Sequence, residues 1–220
     1  MRKGPGKITL LGVVLSGMFA VAACGSQSGG GSSGTFQPSG SMAGQASAAA
    51  SGAAGSVTMP AFGKDVHIDL TTWAPSSAGQ AQAVLTDKNY ELAFLYAEYT
   101  GGQDTAWTSY VSSTMQTEAQ STLSQADVTS ESFIGTIRIF DMTAVTDPTV
   151  PADLDVSACF DNADSANTSR STGAVITDTA SPDSHYVRIS DELRKNSAGQ
   201  WQVYSSLPAV YYPEAAQCKP

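Results

Sequence analysis

The chain predicts an α+β domain in which N-terminal helices pack on an antiparallel sheet, behind a leader and a low-complexity tether. Three observations carry that reading. Apolar residues recur at helical spacing over Ala81–Tyr99, the period changes to two after Gln125, and Gly25–Ser56 is built from small residues with no charge. The chain has 220 residues, 14% charged, with a net charge of −9. Such an acidic balance argues against nucleic acid as a partner, because phosphate binding needs clustered Lys and Arg.

The leader comes first. Met1–Lys7 carries three positive charges and no negative one, and Ile8–Ala23 is an uncharged, mostly apolar run of 16 residues. As a helix that run spans about 24 Å, short for a membrane span and suited to a signal peptide. It closes on Val21-Ala22-Ala23-Cys24. This resembles the lipobox of bacterial lipoproteins: an aliphatic residue, two small residues, then Cys. The resemblance implies a signal peptide over 1–23 and diacylglyceryl modification of the Cys24 thiol, with cleavage before it and fatty acylation, palmitate included, of the new terminus. A plain secretory signal with an incidental Cys and an uncleaved anchor are the alternatives. Lipid on Cys24 would hold the chain on the extracytoplasmic face of the cell membrane, since two or three acyl chains bury far more than one.

Residues 24–56 then read as the lipidated Cys and a tether. Of the 32 residues from Gly25 to Ser56, nine are Gly, nine Ser and seven Ala. That composition cannot bury enough apolar surface to offset chain entropy, and its span is about 30 Å. Removing the leader takes away Arg2, Lys3 and Lys7, which leaves 8 basic and 20 acidic residues, a net −12, with every acid at or beyond Asp65. The domain is therefore held at a membrane by lipid and not by surface charge.

Residues 57–80 read as a lead-in in which Val66, Ile68 and Leu70 alternate with His67 and Asp69, an edge-strand pattern. The domain proper is placed at 81–220. Ala81–Tyr99 is the first helix, stopped by Thr100-Gly101-Gly102. Asp104 is read as the cap of a second helix running to about Leu123. Ser132–Val145 has apolar residues on both faces, with Phe133, Ile137 and Ile139 on one and Ile134, Phe140 and Met142 on the other. Ala152–Phe160 puts Leu154, Val156, Ala158 and Phe160 on one face, and Asp161–Gly173 reads as a polar loop. Tyr186–Leu193 and Trp201–Val210 close the sheet around the turn Asn196–Gly199.

The helical opening, the long two-faced strand and the closing hairpin Val187-Arg188-Ile189 … Gly199-Gln200-Trp201-Gln202-Val203 resemble the NTF2-like, or cystatin-like, cone. Such a cone implies a strongly curved sheet wrapped on a helix. The whole also resembles small secreted lipoproteins of actinobacteria. Some cone enzymes of the ketosteroid-isomerase type use a carboxylate base and a Tyr or Asp oxyanion donor. By that analogy Tyr90, Tyr96, Tyr99 and Asp141 are conceivable lining residues, with core packing as the simpler reading of the tyrosines.

With Cys24 lipidated, Cys159 and Cys218 form an even pair in an exported chain and are expected to bridge. A reactive thiol is the alternative, but neither a basic cluster nor a Cys-x-x-Cys supports it. His67 and His185 stand 118 residues apart, and no metal or cofactor motif is present. Asp161-Asn162-Ala163-Asp164 lacks the Gly and distal Glu of a calcium loop. The expected function is a non-enzymatic binding or accessory module of the cell envelope, facing an envelope protein partner. The alternative is a binder of a small apolar ligand in the cone, or an isomerase-like enzyme there.

Overall fold

The computed structural model describes residues 56–71, 77–178 and 182–220. The leader, Cys24 and the tether to residue 55 lie outside the described residues. The described part is α+β, a mixed six-stranded sheet with its helices on one face.

Strand β1 (Val66–Leu70) lies in the lead-in and pairs with β2 (Glu131–Thr146) in parallel, Ile68 opposite Ile137. This corrects the all-antiparallel expectation. A strand that returns beside its predecessor after a helical crossover runs parallel to it, and the helices between β1 and β2 are that crossover. From β2 onward every pairing is antiparallel, through β3 (Leu154–Ser169), β4 (Tyr186–Lys195) and β5 (Trp201–Ser206). The two-residue β6 (Val210–Tyr211) pairs with β4 beyond the end of β5.

Helix α1 (Ala78–Tyr99) begins where Ser77 accepts a hydrogen bond from the Gln80 amide. It ends as its glycines predict. Gly101 and Gly102 take φ of 76° and 78°, and the Gly102 N–H reaches back to the Ala97 carbonyl at 2.7 Å. A Cβ at Gly102 would stand 2.9 Å from the Leu123 carbonyl oxygen, so the turn admits only glycine. The Arg170 guanidinium adds a second stop. It donates to the carbonyls of Tyr99 (2.6 Å) and Glu98, a cation on the negative end of the helix.

The single helix expected from Asp104 to Leu123 is divided. Asp104 accepts the Ala106 N–H at 2.9 Å before a 3-10 turn, Ala106–Tyr110, whose N-cap residue is Thr105; Val111 is extended and bridges Val203; Ser112 then caps α2 (Ser113–Leu123). The break docks Val111 on β5 and lets Trp107 bury completely. A short α3 (Ala126–Ser130) precedes β2.

A bulge sets which side chains of β2 face the helices. β2 shifts register between Phe140 and Thr143, with Asp141 at φ 50°. The bulge turns Met142 into the core beside Ile137 and Ile139, not onto the opposite face with Phe140 as expected. Of the segment read as a polar loop, Asp161–Gly173, the part Asp161–Ser169 is strand on β3, paired with Glu131–Arg138 of β2. Helix α1 lies across β2, β3, β4 and β5, and its Leu92, Leu95 and Ala97 are almost fully buried against them.

Candidate functional site

Within this apolar interface stand three carboxylic acids. Asp87 and Glu91 are one turn apart on α1 and share a face. On β4 the core-facing register runs Val187, Ile189, Asp191, Leu193, so the third acid occupies a position where its neighbours are aliphatic. One oxygen from each carboxyl lies within 4.8 Å of the others. Asp87 is 2% exposed and Asp191 3%. Ser206 stands opposite Asp191 across the β4–β5 ladder, and its hydroxyl lies 3.9 Å from the Met115 sulfur. Asp87 Oδ1 and Asp191 Oδ2 are buried with no hydrogen-bond partner.

The electrostatics follow from that packing. Burial, and then the Asp191 charge, push Asp87 well above the ordinary carboxylate range; Lys88 opposes this more weakly. Glu91 is pushed up for the same reasons, burial first, then Asp191 and Asp87. Asp191 is raised by burial, against hydrogen bonds from Ser206, Asp87 and Glu91. Three like charges cannot share a low-dielectric site unpaired, so the cluster either holds protons or holds a cation.

Glu91 and Asp191 form one wall of a cavity of about 50 Å³, whose other walls include Tyr90, Phe94, Met115 and Phe160. Tyr90 is 3% exposed, and burial followed by the charge of Asp191 pushes its phenol up. A water needs at least about 10–15 Å³, whereas ligand pockets usually run to about 300–1,000 Å³. The cavity thus has room for an ion or a few waters, and none for a steroid-sized apolar molecule.

The other singled-out residues lie elsewhere. Cys159 and Cys218 form the expected disulfide, with Cα atoms 5.1 Å apart, and pack with Ala215 on the outer face of the sheet. Of the candidate lining residues, Tyr90 alone reaches the cavity. Tyr96 and Tyr99 pack edge-on against Phe62, at 5.2 and 5.5 Å between centroids. Asp141 sits in the β2 bulge and borders an outer recess of about 800 Å³, together with Arg138, Arg188, Gln217 and Pro220. The Arg188 Nε on that recess is buried without a partner. Asp161 and Asp164, in the segment that partly matches a calcium loop, bind the Arg138 guanidinium at 3.1 and 2.6 Å. His185 Nδ1 lies 3.1 Å from Asn162 Oδ1.

Sequence reasoning did not single out Asp87, Glu91 or Asp191. A signal was present, since Asp191 interrupts an apolar alternation and Asp87 and Glu91 repeat a like charge at a spacing that weakens a helix. No family model matches the chain, and neither a curated protein nor a solved structure matches it.

Proposed function

We propose that this chain is a lipoprotein anchored through acyl groups on Cys24 to the extracytoplasmic face of the cell membrane. Its NTF2-like domain works there as a non-enzymatic binding or accessory module for an envelope protein. The observation that carries the reading is the Cys159–Cys218 disulfide. Disulfides persist in oxidising compartments, and this one leaves Cys24 as the single unpaired cysteine, at the position a lipobox requires. The order of helices before a sheet whose consecutive strands β2–β5 are antiparallel supports the cone resemblance. A cavity of about 50 Å³ favours the non-enzymatic reading over an isomerase-like one. The recess beside Arg138 and Arg188 is the surface we assign to the protein partner.

Intact mass measurement of the protein from native membranes tests the anchor. The expected species starts at Cys24 and carries diacylglycerol and acyl groups, and Cys24→Ala moves the protein to the soluble fraction. An intact Met1 or an unmodified mature terminus overturns the anchor. Cross-linking on intact cells is expected to recover one recurrent envelope protein, lost on Arg188→Glu; recovery of none overturns the accessory role.

A further inference from the structure

We propose that Asp87, Glu91 and Asp191 form a binding site for one hard divalent cation, with calcium as the preferred ion. The argument begins with donor geometry. An ion bound about 2.3–2.6 Å from each oxygen can bridge donors up to about 5 Å apart. The three carboxyl oxygens lie within 4.8 Å of one another, inside that limit. They come from two elements that are packed together, α1 and β4, so the site is assembled by the fold and not by a loop.

Two further observations point to a ligand. Asp87 Oδ1 and Asp191 Oδ2 are buried and face no donor outside the carboxyl cluster itself, and an unmet buried polar group costs roughly 1–3 kcal/mol, more when charged. Tyr90, also buried, lines the adjoining cavity beside Glu91 and Asp191. The cavity itself, about 50 Å³, gives space for the few waters that complete a coordination sphere. Among the described residues no Arg or His joins the cluster, and Lys88 exerts the weakest of the influences on Asp87, so an internal countercharge is missing.

The donor set selects the metal class. All the donors are oxygens, which suits Ca²⁺, Mg²⁺ and Mn²⁺ and disfavours the ions that need imidazole or thiolate. Mg²⁺ demands near-ideal octahedral geometry and gives up water reluctantly. Ca²⁺ accepts irregular and bidentate carboxylates, which suits three carboxyls set by packing and supplemented by a few waters.

The test uses the full chain in detergent, stripped with EDTA, so its outcome does not depend on whether Cys24 is acylated. Thermal unfolding is followed against CaCl₂, MgCl₂ and MnCl₂ at pH 7.5, with calorimetric titration for stoichiometry. The expected result is one Ca²⁺ per chain and a saturable rise in Tm of about 5–10 °C at 100-fold excess over Kd, reversed by EGTA. Mg²⁺ is expected to bind at least about tenfold more weakly than Ca²⁺, because it must shed more water. Asp191→Asn and Asp87→Asn should each abolish the rise, while Asp164→Asn, a change at an exposed acid, keeps it. Manganese EPR on the native chain provides a readout that needs no variant. An unchanged Tm with all three cations overturns the proposal, and in that case greater stability of Asp191→Asn identifies a proton-sharing cluster instead. An equal response in Asp191→Asn and the native chain also overturns it.

Discussion

Asp87 and Asp161 are equally buried, at 2% exposure each, yet they meet opposite company on opposite faces of one sheet. Asp161 on the outer face receives the Arg138 guanidinium at 3.1 Å. Asp87 on the helix face meets two more carboxyls. A buried carboxylate with a guanidinium is a structural element, whose charge the fold itself balances. A buried cluster without one is a cost to stability, which a proton or a cation must offset.

The comparison breaks first at Arg138. Replacing it in Arg138→Leu takes the cation from the buried Asp161 and should destabilise the fold more than any other of these substitutions, measured by denaturant unfolding. The same logic reversed applies across the sheet. In cation-free protein at neutral pH, Asp87→Asn should stabilise by about 1–2 kcal/mol, because it removes a carboxyl with no countercharge. Equal signs for the two variants would erase the distinction between the faces.

Glu98, on the last turn of α1, sharpens the contrast through pH. Burial, and then the Asp127 charge, raise its carboxyl to about 8. The folded state therefore keeps a proton that the unfolded chain gives up near pH 4.5. Stability from this group is fully present below about 4.5 and is lost as pH rises toward about 8. Glu98→Gln should flatten that decline, by about 1 kcal/mol per pH unit within the window, read from unfolding at pH 5, 6, 7 and 8. The smallest effect belongs to Asp164, whose side chain is 61% exposed beside Arg138. Asp164→Asn should change stability by no more than about 0.5 kcal/mol.

Much of the fold was legible because alternation is a local signal. Val66-Ile68-Leu70 marked β1 and Leu154–Phe160 marked the first half of β3. The second half, Asp161–Ser169, was not legible, since its residues are small or polar and carry no apolar period. It is strand because β2 offers a partner ladder of matching length, a tertiary reason. The bulge at Asp141 inverts the facing of Met142 for a similar reason, and the extended Val111 is explained only by Val203, 92 residues later. The carboxyl cluster is divided in the same way. Asp191 was readable as a charge in an apolar register, but its convergence with Asp87 and Glu91 depends on α1 crossing β4, which no window of sequence contains.

The bridge between Cys159 and Cys218 has a practical corollary. It pins the last few residues of the chain to the middle of the sheet, and Gln217 and Pro220 become part of the rim around the Arg188 hollow. Anything fused after Pro220, such as a purification tag or a fluorescent reporter, would hang directly over that opening.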